Sequence, residues 1–335
     1  MPKVLILRFS SIGDIVLTTP VVRTLKEQLP GAEIHYCTKS QFRILFEHNP
    51  YIDKIFYLEK SLTLLIQELQ KEDYDYIIDL HNNLRTSIIK WKLGKKSFTF
   101  NKLNLQKWLL VNLKINRLPS VHIVDRYMAT VGPLGVTNDG KGLDYFIPAK
   151  DEVSLSNYEL EPNKYIAFAI GAQHATKRLP LKKLIEACRA QTLPVVLLGG
   201  KEDTQTGDLV VEACQNLPFK VLNLSGKLSL NQSAYFLRQS RFVISHDTGL
   251  MHIAAAFKKE IYSVWGNTVP EFGMYPYLTD YHIIENTTLS CRPCSKIGHK
   301  KCPKGHFKCM NDLDLKHSFE NTKKQGNPVS RTSLN

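Results

Sequence analysis

The segment KVLILRFSSIGDIVLTTPVVRTLKEQLPG, residues 3–31, contains a short apolar run, a polar loop and a longer amphipathic stretch, in that order. The run at residues 4–8 predicts a buried strand, and the stretch at residues 15–29 predicts a helix that Pro30 and Gly31 end. A strand that leads through a short loop into a helix is the repeating unit of parallel α/β sheets. The segment therefore predicts an α/β fold.

The same alternation continues along the chain and restarts once. In the first half, strands are predicted at residues 34–37, 54–57, 76–79 and 96–100, with a helix at 62–71. After a polar segment at 148–151, strands are predicted at 165–170, 194–198, 221–224, 242–245, 260–264 and 282–285, with helices at 181–191, 206–216, 230–239 and 249–257. Two such series predict two doubly wound, Rossmann-like domains that face a central cleft. We assign residues 1–150 and 151–319 to these domains and predict a disordered tail at 320–335, which lacks apolar periodicity.

Composition places the chain among ordinary globular proteins. It has 335 residues, 43% of them hydrophobic and 22% charged, and a chain of this length usually forms more than one domain. No apolar run approaches the roughly 20 residues that cross a bilayer as a helix. The N-terminal apolar run is too short for a secretory signal, and no small-residue cleavage site follows it. We therefore expect the protein in the cytoplasm.

Basic residues are concentrated in two segments. The formal net charge is +13, and residues 85–120 contain nine lysines or arginines and no acidic residue, interleaved with Trp91, Trp108 and other apolar side chains. A second acid-free basic stretch occupies residues 292–308. Such stretches are either solvated faces or surfaces that meet anionic lipid or a phosphorylated glycolipid. No helix-turn-helix, RNA-recognition or OB-fold signature accompanies them, so nucleic acid is not an expected partner.

The loop after the first predicted strand is the first candidate site. Ser10, Ser11, Gly13 and Asp14 lie between a strand and a helix, at the sheet edge where open α/β folds bind ligands. The serine hydroxyls and the backbone amides there can bind anions or sugar hydroxyls. A single glycine does not make the G-x-G-x-x-G dinucleotide motif. Asp14 either caps the helix or serves as a general base for an acceptor hydroxyl.

Two further candidate loops follow the first and the fourth predicted strands of the second half. Thr176 and Lys177 come before a predicted helix, where a hydroxyl and a cation can face a diphosphate. Asp247 and Thr248 precede an Ala-rich helix whose N-terminus offers free N–H groups and the positive end of the helix dipole. The alternative for this last loop is plain N-capping, with His252 as a packing residue.

Three motifs resemble those of the ADP-heptose:lipopolysaccharide heptosyltransferases, glycosyltransferase family 9. They are the Ser-Ser-Ile-Gly-Asp loop at 10–14, the Gly-Ala…Lys-Arg-x-Pro segment at 171–180 and the Asp-Thr-Gly-Leu-Met-His helix start at 247–252. The resemblance extends over about residues 1–315, and the block at 247–252 is its most specific part. It implies a GT-B fold with an acceptor-binding N-terminal domain and a nucleotide-sugar-binding C-terminal domain. It also implies an inverting, metal-independent transfer of heptose from ADP-heptose to a glycolipid of the lipopolysaccharide-core type.

The resemblance implies roles for individual residues. Asp14 matches the family's catalytic base, and Lys177 matches its diphosphate-contacting lysine. The residues that match donor-binding positions are Ser10, Ser11, Gly13, Thr176, Glu202, Asp247, Thr248, Gly249, Leu250 and His252. The implied acceptor is anionic and lipid-linked, so peripheral contact with the inner face of the cytoplasmic membrane is expected.

The chain departs from the family pattern at three positions. Leu179 stands where Trp is usual, Asn267 where Pro is usual and Val269 where Asp is usual. These departures leave the donor sugar open more than the class of reaction. The alternatives are a GT-B transferase or epimerase that uses another nucleotide sugar, and a non-catalytic relative, against which the presence of Asp14 argues.

Four of the seven cysteines crowd into one segment. Cys291, Cys294, Cys302 and Cys309 lie in a stretch rich in Gly, Pro and Lys. Disulfides are not expected in a reducing cytoplasm. Four thiolates can bind a structural zinc, and neighbouring lysines would favour the thiolate form, although the spacing is not that of the standard zinc-binding pairs. Structural zinc and unliganded or redox-active cysteines are the competing hypotheses, and no cofactor is expected to be required for catalysis.

Overall fold

The structure, a computed structural model, describes residues 1–325 and the side chains of residues 1–320. Its strands are β1 (Lys3–Leu7), β2 (Glu33–Lys39), β3 (Lys54–Leu58), β4 (Tyr76–Asp79), β5 (Lys96–Thr99), β6 (Ile166–Ala169), β7 (Val195–Leu198), β8 (Val221–Asn223), β9 (Phe242–His246), β10 (Ile261–Trp265) and β11 (Tyr281–Glu285). Its α-helices are α1 (Ile12–Val16), α2 (Thr19–Gln28), α3 (Leu62–Gln70), α4 (Leu84–Leu93), α5 (Asn104–Leu113), α6 (Ile123–Met128), α7 (Leu181–Arg189), α8 (Thr204–Ala213), α9 (Leu230–Gln239), α10 (Gly249–Ala256), α11 (Lys308–Asn311) and α12 (Leu315–Gln325). Strands and helices alternate in both halves, as the apolar periodicity predicted.

Strands β1 to β5 form a parallel sheet in the first half of the chain, in the order β3-β2-β1-β4-β5. β1 is central, and Leu5 and Leu7 pack into a core with residues of α3 and α4. The strand order reverses between β1 and β4. Ligands of open α/β sheets bind beyond the carboxyl ends of the strands at such a switch point. The loops after β1 and β4 therefore lie where a ligand of this sheet is expected to bind.

Strands β6 to β11 form a second parallel sheet, in the order β11-β10-β9-β6-β7-β8. The register pairs Ala169 of β6 with Ser245 of β9, and His246 of β9 with Val264 of β10. The order reverses between β6 and β9. The loops after β6, β9 and β10 consequently leave the same edge of the sheet side by side. The α/β fold with two doubly wound sheets is thus confirmed.

The chain divides into two compact units that differ from the predicted division at residue 150. One unit contains Met1–Leu103 and Val121–Phe146, and the other contains Asn104–Ser120 and the chain from Ile147 onward. The segment with α5 belongs to the second unit because its apolar side chains pack there. Leu110 lies in a cluster with Val269 and Phe272. Apolar periodicity alone does not show this long-range contact, so the prediction placed the segment in the first domain.

The single helix predicted at residues 15–29 is wrong in detail, because two helices occupy this region. α1 ends at Val16 and α2 begins at Thr19. Pro20 lies in the first turn of α2, where its missing N–H removes no helical hydrogen bond. The Thr18 hydroxyl donates to the Ile15 carbonyl at 2.7 Å and thereby satisfies the end of α1.

The tail predicted to be disordered begins within a helix. α12 includes residues up to Gln325, and the rest of the predicted tail, 326–335, lies outside the described residues. Leu315 and Phe319 of α12 are buried in the core of the second unit, which explains why this helix forms. Among the helices of residues 1–325, none is long and apolar enough to cross a membrane.

Candidate functional site

The loop after β1 holds the carboxylate of Asp14 from both sides. Nη2 of Arg8 lies 2.7 Å from Oδ1 of Asp14, while the Ser11 hydroxyl donates to Oδ2 at 2.8 Å. The Ser11 backbone N–H also points to Oδ2, at 3.3 Å, so Asp14 does cap α1 as one of the two interpretations predicted. The ion pair with Arg8 goes beyond capping. The Asp14 side chain is 23% exposed, so this oriented carboxylate still reaches solvent.

Arg8, which the sequence analysis did not select, is the anchor of this loop. Its side chain is buried, and Nη1 donates to the Leu80 carbonyl at 2.6 Å and to the Tyr127 hydroxyl at 3.0 Å. Burial opposes its charge, but the Asp14 carboxylate and the neighbouring tyrosines outweigh burial, so the pKa of the Arg8 guanidinium is raised. Arg8 therefore carries a fixed positive charge beneath Asp14.

The loop after β4 brings His81 to the same switch point. The ring packs edge-on against Phe9, with centroids 5.6 Å apart. Burial, followed by the charge of Arg8, lowers the pKa of His81 to about 4, so the ring is neutral near pH 7. The fully buried Asp79 accepts the backbone N–H of His81 at 3.0 Å and forms an ion pair with Lys90 at 2.8 Å. In the sequence, this cluster is indicated by Asp79, a polar residue at the end of the apolar strand β4.

In the second unit, the loops after β6, β9 and β10 each contribute one side chain to a polar cluster. Nζ of Lys177 lies 2.6 Å from Oδ2 of Asp247, and the Thr268 hydroxyl donates to the same oxygen at 2.9 Å. Both members of the ion pair are mostly buried. The structure thus brings Lys177 and Asp247 together as the motifs implied, and adds Thr268, which the sequence analysis did not select.

The N-terminus of α10 borders this cluster. Thr248 is its N-cap but makes no side-chain capping hydrogen bond. Thr248, Gly249 and Leu250 are partly exposed, so the first N–H groups of the helix lie near the surface, where an anion can bind. His252 is buried, which places its ring inside the unit rather than at this surface.

The structure places the side chain of Thr176 in the interior of the second unit. Its side chain is 2% exposed, and its hydroxyl is engaged with the backbone of His299. The hydroxyl therefore supports the loop of Lys177, and donor binding by Thr176 stays a prediction. Glu202, by contrast, follows β7 and is exposed, with one carboxylate oxygen 3.9 Å from Arg178.

Asp203 is a buried acid that the sequence analysis missed. Its carboxylate lies 3.0 Å from Nη1 of Arg178 and accepts the N–H of Gly200 at 2.9 Å. A side chain on Gly171 or Gly199 would collide with this carboxylate. Glycine at these two positions was therefore the signal in the sequence that could have indicated Asp203. Burial raises the pKa of Asp203, which the Gly200 N–H and the Arg178 charge only partly offset.

The candidate residues divide between the two units. The first unit contains Ser10, Ser11, Gly13 and Asp14, and the second contains Thr176, Lys177, Glu202, Asp247, Thr248, Gly249, Leu250 and His252. Within each unit, the residues lie at the switch point of the sheet, Glu202 excepted, which lies one strand away.

The cysteine segment does not form a compact set of metal ligands. Cys291, Cys294 and Cys302 are half-buried and Cys309 is buried. Burial raises the pKa of Cys294, which the charge of Lys114 only partly offsets, and burial raises the pKa of Cys309 to about 12. Within the described residues, one group of three possible ligands has all its ligand atoms within 4.8 Å, and it is formed by Glu33, His35 and Glu72.

That acidic group is already neutralised by lysines. Glu72 forms ion pairs with Lys3 at 3.0 Å and with Lys54, and Glu33 pairs with Lys3 at 3.4 Å. His35 bonds to Glu33 at 2.8 Å. The group is a hydrogen-bonded network at the edge of the sheet opposite Asp14, where strands β1 and β2 begin.

Comparison with known proteins agrees with this architecture. Residues 62–304 match the glycosyltransferase family 9 (heptosyltransferase) model. The chain is 26% identical over 346 residues to lipooligosaccharide heptosyltransferase 2 of Haemophilus influenzae, covering 95% of this chain and 97% of that protein. Among solved structures, it resembles the family 9 glycosyltransferase of Veillonella parvula (TM-score 0.71, 23% identity, 85% and 86% of the two chains). It also resembles the ADP-heptose lps heptosyltransferase II of Escherichia coli (TM-score 0.65, 20% identity, 95% and 99%).

The match to the family model spans more than half of the chain, and the likeness to solved heptosyltransferases confirms the predicted GT-B fold. Sequence motifs, sheet topology and these comparisons all indicate the same class of enzyme. The chain is a member of glycosyltransferase family 9, the heptosyltransferases.

Proposed function

We propose that the protein transfers a heptose, or a related sugar, from an ADP-activated donor to an acceptor of the lipopolysaccharide-core type, with inversion at the anomeric carbon. The observation that carries the proposal is the cluster of Lys177, Asp247 and Thr268 at the switch point between β6 and β9. The names of the Haemophilus influenzae and Escherichia coli relatives support heptose as the sugar and ADP as the nucleotide.

In this proposal the second unit binds the donor. A diphosphate carries more negative charge than Asp247 and would attract the Lys177 ammonium, while the first N–H groups of α10 hydrogen-bond to its oxygens. Asp247 is then available to accept hydrogen bonds from sugar hydroxyls. Glu202 is exposed after the neighbouring strand β7 and is assigned to the nucleoside.

The first unit supplies the base. Asp14 takes the proton of an acceptor hydroxyl, whose oxygen forms a bond to the anomeric carbon as the bond from that carbon to the diphosphate breaks. The electron pair of the broken bond leaves with ADP, and Lys177 stabilises the added charge. A single displacement of this kind inverts the anomeric centre. Because Asp14 and Lys177 supply the base and the cation, we propose that catalysis needs no metal.

A nucleotide-release assay tests the donor. We expect release of ADP from ADP-heptose when a truncated lipopolysaccharide-core acceptor is present, and no comparable release from UDP- or GDP-sugars. The departures at Asn267 and Val269, on either side of Thr268, favour a second candidate, a transferase or epimerase that uses another nucleotide sugar. Turnover of another nucleotide sugar, or product formed without an acceptor, would establish that candidate instead.

A basic cavity in the first unit supports an anionic acceptor. It has a volume of about 380 Å³ and is lined by Lys39, Ser40, Gln41, Leu58, Glu59, Lys60, Leu62 and Arg85. It lies beyond the carboxyl ends of β2 and β3, on the ligand-binding edge of the sheet. In residues 1–320, no ion pair forms at Lys39, Lys60 or Arg85. Three free cations around a polar cavity suit phosphate or carboxylate groups of a glycolipid.

Exposed apolar side chains accompany the basic stretch at residues 85–120, for which a solvated face and a surface that meets anionic lipid were the two interpretations. They include Leu84 and Trp91 in the first unit, and Leu105, Trp108, Leu113 and Ile115 in the second. Trp91 is 75% exposed and Trp108 49% exposed. We propose that these residues and the neighbouring lysines give weak, salt-dependent contact with the inner face of the cytoplasmic membrane. Lys90 does not take part, because it pairs with the buried Asp79.

We propose the cysteine segment as a zinc site only because thiols are good zinc ligands, and the positions of its sulfurs do not add support. Four thiols suit zinc, but within residues 1–320 no three of these sulfurs lie mutually within 4.8 Å. Sγ of Cys291 lies 3.9 Å from Nε2 of His306. Zinc binding would therefore require the sulfurs to converge, and the proposed transfer does not depend on it.

A further inference from the structure

The loop that carries Lys177 is fastened to the segment at residues 286–307, here called the cysteine loop. The backbone of His299 makes three hydrogen bonds with Thr176, the residue next to Lys177. The His299 N–H donates to the Thr176 hydroxyl at 2.8 Å, and the His299 carbonyl accepts from the Thr176 N–H and hydroxyl, both at 3.2 Å. Since Thr176 is buried, its polar groups depend on this partner.

A second attachment lies on the other side of Lys177. Nε2 of His246, the last residue of β9, accepts the N–H of Leu179 at 3.1 Å. Burial, and then the charge of Arg178, lower the pKa of His246 to about 4. The imidazole is therefore neutral near pH 7, as it must be to accept a hydrogen bond through Nε2.

The cysteine loop also contacts the turn after β10, whose Thr268 hydroxyl donates to the carboxylate of Asp247. The N–H of Cys294 donates to the Asn267 carbonyl at 3.2 Å, and Nη2 of Arg292 donates to the Thr268 carbonyl at 2.9 Å. Nε2 of His299 lies 3.2 Å from the carbonyl of Cys294, which joins the two contacts. One loop thus supports both partners of the ion pair between Lys177 and Asp247.

We propose that Thr176 and His246 are positioning residues that hold Lys177 for the diphosphate of the donor, with the cysteine loop as the support of this site. The inference rests on the proposed function and adds to it how the site keeps its shape. A cation that is fixed before binding stabilises a leaving group better than one that must first be ordered. Thr176 and His246 act through Lys177 and touch no substrate.

The first measurement is the affinity for ADP, determined by calorimetry on the full chain. Thr176→Val keeps the shape of the side chain and removes its hydroxyl, and His246→Leu removes the acceptor of Leu179. Thr176→Val leaves the N–H of His299 without its acceptor, and His246→Leu leaves the buried N–H of Leu179 without its acceptor, so we expect ADP to bind about 10-fold more weakly in either variant. The matched variants Thr176→Ser and His246→Gln keep a hydrogen-bonding group and should bind ADP within about 3-fold of the wild type.

The second measurement distinguishes positioning from general destabilisation. In a Lys177→Ala background, Thr176→Val or His246→Leu should weaken ADP binding no further, because the residue that each one holds is gone. Full additivity of the effects would overturn the proposal. So would wild-type affinity in both single variants. Each variant tests a separate attachment, so a folding failure of one leaves the other to decide.

A readout without nucleotide separates this inference from the proposed function. Amide hydrogen exchange at residues 175–179 should be faster in Thr176→Val and His246→Leu than in the wild type, and close to the wild type in Thr176→Ser and His246→Gln. If the wild type fails to bind ADP, the proposed function falls while the exchange rates still test the two attachments. Unchanged exchange in both variants would show that neither residue holds the loop.

Discussion

Lys177 and Asp247 form an ion pair of 2.6 Å although they are 70 residues apart and follow different strands, β6 and β9. The hydroxyl of Thr268, which follows β10, donates to the same carboxylate oxygen. The pair therefore exists only when the sheet is assembled. A diphosphate that enters this site would exchange one anionic partner of the ammonium for another, so the ammonium itself would not have to lose its hydration anew.

Removal of Lys177 should weaken ADP binding and slow turnover. A charge-assisted contact with a phosphate contributes about 1.5–3 kcal/mol, so Lys177→Ala should lower ADP affinity about 10- to 100-fold by calorimetry. Lys182→Ala is the matched control, because Lys182 is an exposed lysine of the same unit. Equal affinity in the two variants would show that Lys177 does not contact the diphosphate.

Asp14→Asn should separate catalysis from donor binding. The amide keeps the size of the side chain but cannot take the acceptor proton, so turnover should fall by about 10² or more while ADP affinity stays within a few-fold. Ser11→Ala removes one hydrogen bond to the same carboxylate and should have a smaller effect. A near-normal rate in Asp14→Asn would leave Asp14 as a helix cap only.

Binding to lipid vesicles should depend on their charge. We expect binding to anionic vesicles, little binding to neutral ones and weakening as salt rises, since each basic residue near the surface contributes about 1 kcal/mol. Lys92→Gln with Lys96→Gln should reduce binding about 10-fold or more. Lys182→Gln with Lys316→Gln, outside the stretch, is the control for net charge. Equal binding to both vesicle types would make the stretch an ordinary solvated face.

Metal analysis of protein purified without added zinc tests the cysteine segment. About one equivalent, lost in the double variant Cys291→Ser with Cys294→Ser and kept in Cys37→Ser, would establish a structural site. Cys37 is the control because it is a buried cysteine of the first unit. Metal-free protein with an unchanged melting temperature in the double variant would exclude the zinc hypothesis.

His246 should make the folded state sensitive to acid. Its pKa is lowered to about 4 by burial and the charge of Arg178, whereas the unfolded chain binds this proton near the ordinary value of 6.5. Between these values the unfolded state binds more protons, so stability is complete above pH 6.5 and falls as the pH drops towards 4. From pH 7 to pH 4.5, the free energy of unfolding in urea should fall by about 2 kcal/mol more in the wild type than in His246→Gln. An identical loss in both would contradict the assignment.

The positions of the strands and of the site loops were predictable from the sequence because parallel strands are nearly continuous apolar runs. Polar residues that interrupt the pattern, such as Asp14 and Asp247, then mark the carboxyl edge of each sheet. The side-chain contacts around the candidate sites were not predictable. Arg8 looked like the end of a strand, yet it lies buried against Asp14. Lys90 looked like one lysine among several, yet it pairs with the buried Asp79.

The strand positions were predictable and the contacts of buried charges were not, and this difference has one physical origin. Periodicity reports which face of an element is buried, whereas the partner of a buried charge depends on contacts between residues far apart in the chain. The attachment of Thr176 to His299 spans 123 residues, and no local pattern indicates it. The only indication of Asp203 in the sequence was the pair of glycines at positions 171 and 199. A side chain at either position would collide with the Asp203 carboxylate.

The membership of α5 in the second unit limits how the protein can be divided. The chain leaves the first unit after Leu103, returns to it at Val121 and leaves it again after Phe146. A fragment that starts near residue 150 would lack α5, and it would expose Val269 and Phe272, which Leu110 covers in the intact chain. The matching N-terminal fragment would carry α5 as a detached apolar helix prone to aggregation. Circular permutation or co-expression of fragments that keep residues 104–120 with the second unit is therefore the route to isolated halves.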